Sequence, residues 1–220
     1  MKLSDNEIRT NILEVAKLMY DKGMANALEG NVSCRDNDRI YITPSGICKG
    51  RLKSEMIIVV DMSGKQIEGN YAPSSELKMH LECYRLRQDV RAVIHAHPPY
   101  TTAYAIANKP ITTSAYPEMI VVFEKVPIAE YGTPSTDEIH AGFSGIINNY
   151  DVFLLANHGI ISVSLDVFDA YFRLEAVEST AKVLTIVNQL GGEQPLPPVK
   201  IEQLYEISKK YKLERKARFK

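Results

Sequence analysis

Apolar residues along this chain repeat in two rhythms, and the changes between them mark out the elements. Ile8, Ile12, Val15, Ala16 and Met19 recur at helical spacing behind a capping box, "SDNE" at 4–7, and Gly23 suits the end of that helix. "RIYIT" (39–43) alternates and runs into "PSG", as a strand does into a turn. "MIIVVD" (56–61) predicts a buried strand with a turn, "MSGK", after it. "PSSELKMHLECYRLR" (73–87) opens on a proline and two serines that can cap, then repeats helically. "VRAVIHAH" (90–97) is a strand stopped by Pro98 and Pro99, and "PPYTTAYAIAN" then makes a short helix.

Further along, "MIVVF" (119–123) and "VPIAEY" (126–131) have the β-branched content of strands. "STDE" (135–138) is a second capping box and predicts a helix to about Asn148, with His140 in a structural place inside it. "VFLLA" (152–156) and "IISVS" (160–164) are strands on either side of "NHG". Residues 166–190 predict one long helix closed by Gly191 and Gly192, and an amphipathic helix begins near Ile201. Strands separated partly by turns and partly by helices predict an α/β fold, with a mixed or largely antiparallel sheet and helices on both faces. No linker-like stretch is longer than "GGEQPLPP", which reads as joining the last helix to the body, so residues 1–220 read as one domain. No GxGxxG or P-loop pattern supports a nucleotide fold.

Composition narrows the class. Net charge is −1, which argues against nucleic acid or an anionic membrane as partner. The basic run "KKYKLERKARFK" at the C-terminus reads as a solvated tail. No stretch approaches the ~18 apolar residues of a membrane span, and "MKLSDNEIRT" has no apolar core of a secretory signal. Cys34, Cys48 and Cys83 form neither a metal-type pair nor a disulfide framework, which points to a reducing cytoplasm.

Candidate chemistry lies in "VIHAHPP". Residues two apart on a strand point the same way, so His95 and His97 can converge on one ion. His158 in "NHG" sits just past another buried strand, beside a glycine that lets the backbone turn. Three imidazoles with an open fourth position suit zinc or a related metal that does chemistry. A single histidine could instead be a core residue bonded to backbone; the same-face pair with a third favours the metal. The strand-end placement predicts an open site at a sheet edge. Ser74 and Ser75 stand at a helix N-terminus, where free N–H groups favour an anion such as phosphate, although plain capping would use the same residues. Glu76 adds a carboxylate that could ligate a metal or move a proton. "LEGNVS" and "ITPSG" are glycine-bearing turns that can cradle phosphate, or simply turn. His80, one turn after Glu76 on the apolar side of the helix, reads as packed or supporting rather than ligating.

In order, "GNVS" (30–33), "TPSG" (43–46), "PSSE" (73–76), "HAH" (95–97) and "NHG" (157–159) resemble the class II aldolase family of L-fuculose-phosphate aldolase, over nearly the whole chain. The resemblance implies a three-layer α/β/α domain and a homotetramer with its site at the subunit interface. It implies that His95, His97 and His158 hold Zn2+, and that Glu76 completes the resting metal shell and then acts as base. Gly30, Asn31, Ser45, Gly46, Ser74 and Ser75 match phosphate-binding positions. Tyr116 matches a tyrosine that reaches a neighbouring subunit's site. Tyr211 matches one that covers the aldehyde, and Tyr131 stands at the aldehyde end where those enzymes carry another aromatic. The implied reaction is reversible cleavage of a ketose 1-phosphate, L-fuculose 1-phosphate or a deoxy-pentulose 1-phosphate, to dihydroxyacetone phosphate and a short aldehyde. Alternatives on the same fold are a pentulose-phosphate 4-epimerase, a methylthioribulose-phosphate dehydratase and a non-catalytic adducin-like module. Epimerases carry Asp where this chain has Glu76, and the module lacks the metal ligands that are present here.

Overall fold

The computed structural model describes residues 3–218. The opening capping box forms as its sequence requires: Ser4 Oγ accepts from the Glu7 N–H, and the Glu7 carboxylate accepts from the Ser4 N–H at 2.7 Å. In chain order the elements are α1 (Asp5–Asp21), β1 (Asn31–Asp36), β2 (Arg39–Ile42), β3 (Ile58–Val60), β4 (Gln66–Glu68), α2 (Leu77–Leu86), β5 (Ala92–Ala96), α3 (Pro99–Ile106), α4 (Pro117–Val122), β6 (Ile128–Ala129), β7 (Val152–Leu155), β8 (Gly159–Ser164), α5 (Val167–Gln189) and α6 (Pro198–Arg218).

The strands make one sheet in the order β4-β3-β2-β1-β5-β8-β7-β6. Every pairing is antiparallel except β6 with β7. The fold is therefore α/β with a largely antiparallel, mixed sheet. Alternation along the strands gives each face its own core. Val32, Tyr41, Val59, Ile94 and Ile160 pack with α1 and α5. Ile40, Ile58, Val93, Ile161 and Val163 pack with α2 and with Phe143 and Ile147 of the segment before β7. Helices or turns thus cover both faces, as the pattern predicts.

Several local expectations are overturned. "MIVVF" is not a strand: Pro117 takes the first position of α4, where its fixed φ suits a helix, and Met119 and Ile120 bury on one side. Of "VPIAEY", only two residues join the sheet. The "STDE" segment makes a single turn of 3-10 helix, Asp137–His140, capped by Thr136 rather than Ser135. Gly142 and Gly145 inside the following stretch weaken a continuous helix. "NVSCRD" and "QIE" are strands that the polar pattern did not suggest, and α2 starts at Leu77, leaving Ser74–Glu76 as a turn before it. β5 lies inside the sheet between β1 and β8, so the histidine site is at the end of an interior strand and not at a sheet edge. The basic C-terminal run is not a free solvated tail, because Lys212 pairs with Glu124 at 2.8 Å and Arg215 is buried. Among the described residues, no helix is long and apolar enough to cross a membrane.

Candidate active site

Residues at the C-terminal end of β5 and the start of β8 come together because the two strands pair, with Ala96 opposite Ile160. His158 ends the three-residue turn from β7 to β8, in which Asn157 takes a left-handed conformation (φ 58°). The next residue can only be glycine. A Cβ at Gly159 would stand 2.5 Å from the Ala96 carbonyl oxygen and 2.6 Å from His97 Cδ2. That close approach lets three imidazoles share one volume, with ring centroids 4.6, 4.7 and 5.0 Å apart.

Their hydrogen bonds fix which nitrogens face inward. His95 is fully buried and its Nδ1–H donates to the Ile160 carbonyl at 3.0 Å, so Nε2 carries the lone pair. Glu29 Oε2 stands 3.5 Å from His97 Nδ1, which turns His97 Nε2 inward as well. The two Nε2 atoms then lie 3.0 Å apart with lone pairs opposed. Glu76 Oε2 is 3.3 Å from His95 Nε2, and Oε1 is 3.2 Å from His158 Nε2. Burial pushes the His95 imidazole down to about 3, and burial followed by the nearby His158 lowers His97. Burial works against the charge on Glu76. His95, the His158 hydrogen bond and the Asn31 amide outweigh it and hold the carboxyl far below its ordinary range. With His95 and His97 held neutral beside an ionised carboxylate, the cluster is a donor set that suits a cation. Two donors bound at 2.0–2.1 Å to one tetrahedral zinc stand about 3.3 Å apart, and the observed separations fall around that value. His158 Nδ1 is a further buried nitrogen without a hydrogen-bond partner among the described residues. The residues fit a divalent metal.

Three turns border this cluster. Gly30 (φ 73°) precedes Asn31, which pairs in register with His95, and a Cβ there would crowd Ala25 and the His95 carbonyl at 3.0 and 3.3 Å. The turn at Ser45 and Gly46 (φ 68°) is tied to the third turn by the Ser45 N–H on Ala72 O at 3.0 Å and by a bridge from Pro44 to Pro73. Ser74 is buried and its Oγ accepts from the Glu76 N–H at 3.2 Å, whereas Ser75 is exposed. The structure thus sets Asn31 and Ser74 directly against Glu76 and ties the Ser45 turn to the segment that leads into it.

One polar residue that sequence reasoning left unassigned, Lys49, belongs here, and His80 takes the supporting place expected of it. Lys49 is buried, and its Nζ donates to Leu28 O at 3.1 Å and Ile47 O at 2.8 Å, joining the first two turns from below. Burial lowers its pKa. Asn31 Nδ2 donates to Glu76 Oε2 at 2.8 Å, and its Oδ1 is engaged by His80, a contact that explains why this apolar helix face carries an imidazole.

The tyrosines are less gathered. Tyr131 follows β6 at the His158 end of the sheet and is 59% exposed. Tyr116 caps α4 and borders a groove of about 340 Å³ with Val183, Val187 and Leu190. Tyr211 is not brought to the histidines. It lies one helical turn from Arg215, which bonds Asp151 before β7 and Asp169 in α5. That position is about four strand residues, ~13 Å, down the sheet from His158. His140 ends a turn of 3-10 helix and rests 6.4 Å from the Phe143 ring, a structural place as expected.

The family model for the class II aldolase and adducin N-terminal domain matches residues 10–185. The chain belongs to the class II aldolase family. An L-fuculose phosphate aldolase of Methanococcus maripaludis (strain C7) is 35% identical over 180 residues, covering 82% of this chain and 97% of that one. A 5-deoxy-D-ribulose 1-phosphate aldolase of Bacillus thuringiensis is 32% identical and covers 89% of this chain and 92% of its own. A solved L-fuculose 1-phosphate aldolase superposes with a TM-score of 0.83 at 32% identity, covering 94% and 97% of the two chains. This class II aldolase is an enzyme, a metal-dependent aldehyde-lyase.

Proposed function

We propose that this aldolase cleaves a ketose 1-phosphate reversibly to dihydroxyacetone phosphate and a short aldehyde, with Zn2+ held by His95, His97, His158 and Glu76. L-fuculose 1-phosphate and a 5-deoxy-pentulose 1-phosphate are the substrates that the named relatives support. The observation carrying this reading is the set of opposed lone pairs at 3.0–3.3 Å around Glu76, bordered by the three tied turns. A divalent ion there supplies Lewis-acid stabilisation of the charge that develops as the carbon–carbon bond breaks.

The protein groups have separate tasks. Gly30, Asn31, Ser45, Gly46, Ser74 and Ser75 hold the phosphate through backbone N–H, amide and hydroxyl donors, which fixes the non-reacting end. The Glu76 carboxylate takes a proton from the donor carbon in condensation and returns one to it in cleavage. Tyr116, offered to a neighbouring subunit in a homotetramer, exchanges a proton with the aldehyde-end oxygen. Tyr131 lines the aldehyde. Tyr211 reaches that end only from a neighbouring chain, because its own chain keeps it at the far end of the sheet.

The test is condensation of short aldehydes with dihydroxyacetone phosphate, run against unphosphorylated dihydroxyacetone, before and after chelation and return of zinc. The phosphorylated donor should be required and zinc should restore a chelated sample. Equal rates with both donors would reduce the three turns to caps, and turnover untouched by chelation would remove the metal. Light scattering should give a tetramer, and a fully active monomer would take Tyr116 off the catalytic list.

A further inference from the structure

We propose that His80 is a positioning residue of the active site: Ser33 and Tyr84 hold it as the Nε2–H tautomer, and through Asn31 it keeps an N–H donor turned on Glu76. The placement follows from two matched periods. Glu76, His80 and Tyr84 stand four residues apart before and along α2, about 6 Å of rise per step. Asn31, Ser33 and Arg35 stand two apart on the facing side of β1, about 6.6 Å per step. Each step of one row therefore meets a step of the other. Asn31 Nδ2 lies 2.8 Å from Glu76 Oε2 and its Oδ1 contacts His80 Nε2. Ser33 Oγ lies 2.7 Å from both His80 Nδ1 and Tyr84 Oη. Arg35 closes the row on the Tyr84 carbonyl at 3.1 Å. Asn31, Ser33, His80 and Tyr84 are all buried.

The carboxylate sets the direction of every proton in this row. An ionised Glu76 only accepts, so Asn31 must present its NH2 to it and its carbonyl oxygen to His80. His80 Nε2 must then carry the hydrogen, which leaves Nδ1 to accept from the Ser33 hydroxyl, and Ser33 to accept from Tyr84. The reverse order would turn the Asn31 carbonyl against the carboxylate. His80 remains neutral at pH 7 because burial pushes it down to about 4. Without His80 the Asn31 amide loses the donor that fixes its orientation. The consequence for turnover rests on Glu76 being the working carboxylate, as proposed above.

Nitrogen-15 shifts of histidine-labelled native protein, compared with His80→Gln to assign the signal, read the tautomer directly. At pH 7 the His80 Nδ1 should resonate as an unprotonated nitrogen, and a protonated Nδ1 would overturn the proposal whether or not the protein is an aldolase. Kinetics read the second link. His80→Gln offers an amide N–H to Asn31 and a carbonyl to Ser33, and should keep kcat within about threefold, whereas His80→Leu offers neither and should lower kcat roughly 10–100-fold with KM nearly constant. In an Asn31→Ala background, His80→Leu should change kcat less than about twofold, since the link is already cut. Equal losses in the Gln and Leu variants, or additive losses with Asn31→Ala, would leave His80 a packing residue. If His80→Leu does not fold, Ser33→Ala supplies a second readout: the Nε2–H tautomer set through Asn31 persists, but the ring loses the hydroxyl that steadies it and kcat should fall severalfold with KM nearly constant, whereas an unchanged kcat would overturn the link. A native protein without turnover on any ketose 1-phosphate would instead count against the aldolase substrate, leaving the tautomer measurement to decide His80.

Discussion

Single atoms govern whether the three imidazoles meet. Gly159 is the tightest case, because its missing Cβ is the space in which the Ala96 carbonyl and the His97 ring sit. Gly159→Ala should fold, since the strand around it is otherwise intact, but it must push β8 off β5 at the histidines. A displacement near 1 Å at a reacting centre is worth roughly 10²-fold in rate. The prediction is therefore a kcat loss of that order with weakened zinc retention, measured by steady-state kinetics and metal analysis after dialysis; an active, zinc-replete variant would show that the site tolerates the shift. Lys49 gives a second residue-level expectation. Its buried ammonium lies under two turns proposed to hold phosphate, and it is held there by carbonyls rather than a carboxylate. Lys49→Met should raise KM for the phosphorylated donor at least tenfold while leaving kcat nearly unchanged, as expected when uniform binding is removed. An unchanged KM, or a loss in kcat alone, would make Lys49 a simple tether. The histidines and Glu76 were legible in the sequence because same-face spacing and a helix mouth are local facts. The role of Lys49 was not, and the supporting place read for His80 lacked its partners, because each depends on a residue more than 20 positions away that only the folded chain supplies.

Elements were legible where one rhythm dominates. α1 and α5 lie within a few residues of their predicted bounds, since cap, stripe and terminal glycines agree. "MIVVF" misled because β-branched content was allowed to outweigh Pro117, and "NVSCRD" because its inward polar residues meet a polar row on α2 in place of a greasy core. α6 shows the same lesson with charges. Arg215, whose side chain is 9% exposed, bonds Asp151 at 2.7 Å and also contacts Asp169 and Ser164, fastening the C-terminal helix to β7, β8 and α5. Removing one partner of a buried pair leaves the others uncompensated, at about 3 kcal/mol. Arg215→Met should accordingly lower the unfolding free energy by about that amount in urea titrations and expose α6 to limited proteolysis first. A change under ~0.5 kcal/mol, the range of an ordinary surface substitution, would show that the helix is held by its apolar contacts alone.

The whole molecule should register these buried groups as a pH-dependent stability. For His80 the folded pKa is depressed from 6.5 to about 4 because burial disfavours its charge. Above pH 6.5 both folded and unfolded forms hold it neutral, so nothing is lost there. As pH falls from 6.5 toward 4 the unfolded chain binds the proton and the native one does not, and stability declines. The full difference is worth about 3 kcal/mol, since each tenfold difference in proton affinity between the two forms contributes about 1.4 kcal/mol. Asp151 and Asp169 act in a lower window. Burial works against their charges, but Arg173 and Arg215 outweigh it and lower both carboxyls. Their contribution is complete above the unfolded value near 3.9 and disappears as pH drops through their folded values. The two windows can be separated with one variant. Urea unfolding of metal-free native protein and of His80→Gln, followed from pH 7.5 to 4, should give curves that diverge below pH 6.5, the native protein losing about 3 kcal/mol more by pH 4. Because zinc is absent from both samples and the other histidines are common to both, the divergence isolates His80. Parallel curves would mean that the imidazole is not held neutral by burial, and the single-tautomer row from Tyr84 to Glu76 would have to be abandoned with it.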